Sequence, residues 1–340
     1  MVKRSFLVII FSFYFSYSLF AQNANNGNYI KQEDVNPATR IELQKIGREL
    51  INFLRWKKLP LAEKKLIEYE MIQSNTEEYF YLRSAIHFTK KNLNYAEEDL
   101  KTTLFINPKH ESAFYLIGMV YALWGDWDRS KEAFKMSVSL SPYNPHYYNN
   151  LSLVYFTLGD FENAKLNNAK AIDQKNNYSE ARLLQIMIDR KLLNNEIALK
   201  NAEKFAREEP RNNELKYLLA ELIFEFRSDY QRYISLIERE KNAPISTLRY
   251  LALSYDRLLN VNRSELIWKE IVDSGLALDE DRKRYLNSLI HLKKYALADK
   301  KAQEFLNQNT DQLKDIRNAY ISSLQNKFVL EKLYYFFPLN

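Results

Sequence analysis

Ala62, Ala96, Ser130, Ala164 and Ala198 follow one another at intervals of 34 residues, and each is small. Pro108, Pro142, Pro210 and Pro244 keep the same interval, with Asn176 in place of one rung. A period near 34 marks a unit of two helices that stacks into a solenoid. Such a hairpin cannot bury its apolar face alone, so its neighbours must complete the core. Strand signals are nearly absent: alternating β-branched runs are few, and no Asn-Gly turn lies between two of them.

The clearest unit begins at Glu111. It runs Phe114, Ile117, Gly118 and Tyr121, then Gly125 and Trp127, then Ser130, Phe134, Ser137 and Pro142. The next begins at Pro145, with Tyr148, Leu151, Ser152, Tyr155, Gly159, Phe161, Ala164 and Ala171. This order of aromatic, glycine and small residues resembles the tetratricopeptide repeat. The resemblance spans about residues 43 to 312, roughly eight units. It implies an all-α fold, a right-handed superhelical solenoid of stacked helix-turn-helix repeats. Gly118 and the small residues let two helices approach closely, Gly125 and Gly159 suit a reversal with positive φ, and each proline stops a second helix.

Units on either side match less well. That from Glu77 has His87 where tyrosine is usual, and that from Ser179 has Arg182 and Gln185 at apolar positions. In the unit from Asn213, Arg232 falls on the small position. The lattice then slips by about two residues before Ser264 and Ala298 resume it.

The ends read differently. Lys3 and Arg4 precede an uncharged apolar run from Ser5 to Phe20, and Ala21 leads into a polar stretch. That is the plan of a secretory signal peptide over residues 1–21, or of an uncleaved anchor if it is retained. Residues 22–38 read as a flexible polar tether, residues 39–312 as the repeats, and residues 313–340 as a capping helix with an aromatic tail, Tyr334 to Phe337. The sequence has no cysteine, which excludes disulfides, thiolate metal sites and lipid attachment through cysteine. A net charge of +6 with interspersed signs lacks the concentrated basic stripe of a nucleic-acid binder.

No catalytic constellation stands out. The four histidines, His87, His110, His146 and His291, have no metal-ligand spacing, and there is no phosphate-binding glycine loop or nucleophile elbow. The acid pairs Glu97-Glu98 and Glu208-Glu209 read as solvated helix faces. The expectation is a non-enzyme with no cofactor and no metal.

The resemblance implies a binding surface instead. In that family, five positions of each first helix line the concave side. Here they give Tyr81, Phe88, Tyr115, Met119, Leu123, Asn149, Leu153, Phe156, Met187, Arg190 and Tyr217. Most are apolar or aromatic, as at an interaction site. Some members of the family grip a chaperone's C-terminal carboxylate. The positions needed hold Tyr115, Met119, Asn150, Glu180 and Leu184 here, and only Asn150 is of the required type. The expected role is therefore a protein- or peptide-binding scaffold or assembly factor of the bacterial cell envelope, in the periplasm or exported. The alternatives are an accessory carrier domain for a separate envelope enzyme, or glycan binding.

Overall fold

The computed structural model describes residues 29–308; the expected signal segment, the capping helix and the aromatic tail lie outside them. Among the described residues there are sixteen α-helices. They are α1 Pro37–Arg55, α2 Leu59–Ile72, α3 Glu77–Thr89, α4 Leu93–Ile106, α5 Glu111–Leu123, α6 Trp127–Leu140, α7 Pro145–Thr157, α8 Phe161–Gln174 and α9 Ser179–Lys191, then α10 Asn195–Glu208, α11 Asn213–Leu222, α12 Tyr230–Ile237, α13 Ile245–Arg257, α14 Val261–Asp273, α15 Asp279–His291 and α16 Tyr295–Gln308. The chain divides into two compact units, the first ending at Ile188 and the second starting at Asp189.

In unit 1, α1 to α8 form four antiparallel hairpins, and α2, α4 and α6 also pack on the first helix of the next hairpin. The helices start where the sequence supplies caps. Thr76, His110, Asp126, Asn144 and Asp160 each accept a bond from a backbone N–H in the first turn of α3, α5, α6, α7 and α8. Pro108 and Pro142 fall two residues beyond the ends of α4 and α6. The small ladder is buried throughout: Ala62, Ala96, Ser130 and Ala164 have no exposed surface. At Ser130 the hydroxyl donates to the Gly118 carbonyl at 2.9 Å, and Ser152 donates to the Ala164 carbonyl at 2.7 Å. Small residues are needed here because one helix's backbone touches the other.

One left-handed residue closes each turn between paired helices. In unit 1 these are Lys57, Lys91, Gly125 and Gly159, at φ of 57°, 61°, 75° and 79°, on the 34-residue interval. Glycine fills only half of these turns. A side chain there costs about 1–2 kcal/mol, which the packed hairpin tolerates.

From Tyr29 onward, the segment expected as a tether packs on the first hairpins. Ile30 makes a parallel bridge to Thr76, and the Gln32 amide donates to the buried Glu77 carboxylate at 2.6 Å. The Tyr29 ring meets Phe80 edge-on, and Val35 is buried. The cause is apolar: Ile30 and Val35 join the cluster built on Leu43, Leu50 and Tyr69.

Unit 2 continues the all-α hairpin pattern, with α11–α12, α13–α14 and α15–α16 paired. Its core gathers Tyr233, Trp268, Ile271, Tyr285 and Leu289. One register expectation changes. α11 ends in a π-helical turn, Ile223–Arg227, and the left-handed residue is Ser228. A π turn adds a residue to the coil, so it comes 35 rather than 34 residues after Leu193. Arg232 consequently lies outside, paired with Glu203 at 2.8 Å, and Tyr233 takes the buried place. The next left-handed residue, Leu259, comes after only 31 residues because α12 is short. Lengthening and shortening together give the two-residue slip.

Candidate functional site

The first helices of unit 1 lie side by side, α1 against α3 and α3 against α5. A pocket of about 170 Å³ opens between the later ones. Phe88 of α3, Met119 and Leu123 of α5, and Leu153 of α7 line it, so four of the expected residues come together. Leu123 is 62% exposed and Leu153 45%, so both present apolar surface to solvent. The back wall is Phe134, which is fully buried, with Val154 and Trp127. Asn150 supplies an amide at the rim.

Tyr81 and Tyr115 do not stand free. The Tyr81 ring lies 4.8 Å from His110, and the Tyr115 ring 4.8 Å from Tyr147 and 5.6 Å from Phe134. Tyr115 accepts a bond from Asn150 Nδ2 at 3.0 Å. Burial pushes both phenols above their ordinary pKa, so they stay neutral hydrogen-bonding groups. They form a half-buried seam that holds first helices together. The lone match to the clamp pattern, Asn150, is occupied in that seam.

Asn149 is a correction. It is only 7% exposed, while Asn150 lines the pocket. The lining set of α7 is 150, 153 and 154, an i, i+3, i+4 stripe, and residue 149 lies about 100° round the helix from 150. Phe156 is half-buried and meets Phe161 of α8 at 5.5 Å, away from the pocket. Met187 is exposed on α9. In unit 2, Arg190 is tied to Glu221 and Glu225 at 3.4 and 2.8 Å, and Tyr250 also donates to Glu225. Tyr217 packs half-buried against the unit 2 core.

Sequence reasoning missed Trp127, Val154 and Asn150 as lining residues. Trp127 begins a second helix, and the repeat resemblance implies binding positions on first helices only. Elsewhere His87, His110 and His146 make contacts within the fold. His87 stacks on Tyr95, and desolvation holds its pKa below the usual imidazole value. Among the described residues no group of three or more histidine, cysteine or carboxylate side chains could hold a metal, and no helix is long and apolar enough to cross a membrane.

Stacked helical hairpins, a buried small-residue ladder and an exposed apolar pocket among first helices define a helical-repeat protein. The profile of the tetratricopeptide repeat matches residues 145–181, which contain α7 and α8, so that stretch carries a repeat of this kind. No curated protein matches it. A crystal structure of a tetratricopeptide repeat protein from Parabacteroides merdae is similar, with a TM-score of 0.51 at 15% identity over 72% of this chain and 97% of that one. PilF of Pseudomonas aeruginosa gives 0.48 at 15% identity over 68% of this chain and 97% of its own. YrrB, described as a tetratricopeptide protein with an unusual peptide-binding site, gives 0.43 at 15% identity over 48% and 87%. The first of these supports the fold.

Proposed function

We propose that this chain is a non-catalytic scaffold or assembly factor that holds a partner protein or peptide on the first-helix face of unit 1, and that it works in the bacterial cell envelope after export. The observation that carries the binding reading is the pocket at Leu123 and Leu153. Two large aliphatic side chains stay in water beside an apolar cavity whose walls are already packed. Preformed apolar pockets are where binding energy concentrates at protein interfaces. The export reading rests on Lys3, Arg4, the apolar run and Ala21.

Affinity capture from the native envelope tests the binding reading. Leu123→Asp with Leu153→Asp is the informative variant, because both residues are exposed and the fold does not depend on them. Lys135→Glu, in an exposed pair with Glu132, is the control. Loss of captured protein in the first variant alone is expected. Equal capture by both folded variants would refute the groove. Export is tested by sequencing the N-terminus of the envelope form. A start at Gln22 is expected, and retention of Met1 would favour the anchor.

A further inference from the structure

The face that carries the apolar pocket extends to α1, where its chemistry changes. Gln44, Arg48, Asn52 and Arg55 line a depression of about 400 Å³, with Gly47 in its floor and Glu78 at its border. Gly47 allows α1 to lie close to α3, since a Cβ there would stand 3.3 Å from Leu82 Cδ1.

In unit 1, Arg83 and Arg129 are committed to the carboxylates of Asp99 and Asp126, and Arg40 and Arg182 donate to the Glu33 and Asn176 carbonyls. Arg48 donates only to the Gln44 carbonyl of its own helix, at 3.2 Å, and among the described residues neither Arg48 nor Arg55 reaches a carboxylate. Both are exposed, about two helical turns apart on the same helix. Glu78, the carboxylate at the border, has its Oε2 3.5 Å from His110 Nε2. The depression thus carries two unspent guanidinium groups and two amides against one carboxylate.

We propose that this face binds an extended segment of a partner protein that offers acidic side chains to Arg48 and Arg55 and, further along, one large apolar side chain to the pocket at Leu153. The inference rests on the groove reading above and adds the chemistry of the partner. Neighbouring helices lie about 8–10 Å apart, so α1 and the pocket at α5 are roughly two helix spacings, about 20 Å, from each other. An extended chain covers about 3.3 Å per residue, which sets the acidic and apolar groups about six residues apart. Guanidinium groups suit this task because they bind carboxylates through two parallel N–H donors. The ligand carboxylates are side chains within the segment, so the site is unlike a grip on a chain terminus.

The test uses the full chain and three fluorescein-labelled peptides in anisotropy titrations. The first has a Glu pair and a Phe at the stated spacing in a Gly/Ser/Gln background, the second has Lys in place of Glu, and the third has Ala in place of Phe. Only the first should bind tightly, and its affinity should fall as salt rises toward ~300 mM. Arg48→Glu with Arg55→Glu should weaken it about tenfold or more and should improve binding of the Lys peptide. Leu153→Asp should abolish binding. Equal binding of the Glu and Lys peptides, or an unchanged affinity in the arginine variant, would overturn the charge inference; a surviving Leu153 effect would then leave the groove reading intact. Binding of none of the three peptides also overturns it, with the groove judged separately by envelope capture. Displacement of the probe by a peptide copying residues 329–338 of this chain, at higher affinity, would overturn it in favour of a second copy as the occupant.

Discussion

Gly118 lies where α5 packs tightly on α6, and a side chain there should be costly. A Cβ built on Gly118 would stand 2.9, 3.0 and 3.1 Å from Cε1, Cδ1 and Cζ of Phe134. Carbon atoms in contact prefer about 3.5–4.0 Å. Phe134 cannot simply turn away, because it is 1% exposed and packed with Leu151, Val154 and Tyr115. Overpacking typically costs about 1–3 kcal/mol. For Gly118→Ala, the gain in helix propensity of roughly 0.5–1 kcal/mol offsets part of that, leaving a net loss of about 1 kcal/mol. Gly118→Leu adds three more carbons and strains the Ser130 bond to the Gly118 carbonyl, so its loss should reach about 3 kcal/mol. In a cooperative unit of this size that corresponds to about 6–12 °C in Tm. Urea melts followed by circular dichroism measure the loss, and Phe134→Ala supplies the control. If Gly118 and Phe134 compete for one space, Gly118→Leu with Phe134→Ala should be no less stable than Phe134→Ala alone, a coupling above 1 kcal/mol. Additive losses, or an unchanged melt for Gly118→Leu, would refute the contact.

Other outcomes follow from the same geometry. Lys91→Gly should stabilise unit 1 by up to about 1 kcal/mol, because it relieves a left-handed φ of 61° at an exposed turn; an unchanged or lower urea midpoint would show that the turn is unstrained. Arg83→Met should cost about 2–3 kcal/mol, since it strands the buried Asp99 carboxylate that Arg83 grips at 2.9 and 2.6 Å, and Arg83→Met with Asp99→Leu should recover much of it in the same melts. The desolvated His87 has a folded pKa below its unfolded one, so the folded state resists protonation. Stability from this group is complete above the unfolded value near 6.5 and is lost as pH falls from there through the folded pKa. His87→Tyr should flatten the dependence of the urea midpoint between about pH 7.5 and 5.5, and an identical slope would assign it to other groups.

Backbone-scale features were legible in the sequence where a residue type has one physical reason to be present. Ala62, Ala96, Ser130 and Ala164 are small because helices touch there, and that constraint repeats with the hairpin. Arg232 misled because a π turn leaves no signature in residue type; the extra residue shows only as a change in phase. The site was half legible for a related reason. Phe88, Met119, Leu123 and Leu153 follow from the repeat resemblance, which implies the face that each first-helix position occupies. Whether a residue on that face stands free depends on its neighbours in other hairpins, and sequence spacing does not encode this. So Tyr81 and Tyr115 proved to be seam residues. Asn149 and Asn150, adjacent in the chain, had their roles exchanged by one step of helix rotation.

The left-handed turn residues leave the protein a rim that can change its chemistry without disturbing its core. Once a hairpin is packed, its turn accepts lysine at 57 and 91, serine at 228, leucine at 193 and 259, or lysine at 293, and the two leucines are more than four-fifths exposed. Each departure from glycine places a side chain in solvent at an equivalent edge of its own hairpin. Substitutions can therefore accumulate along that edge as neutral drift or as decoration of a surface, at a local expense of about 1–2 kcal/mol apiece. Recognisable repeat spelling can fade there while the stack persists.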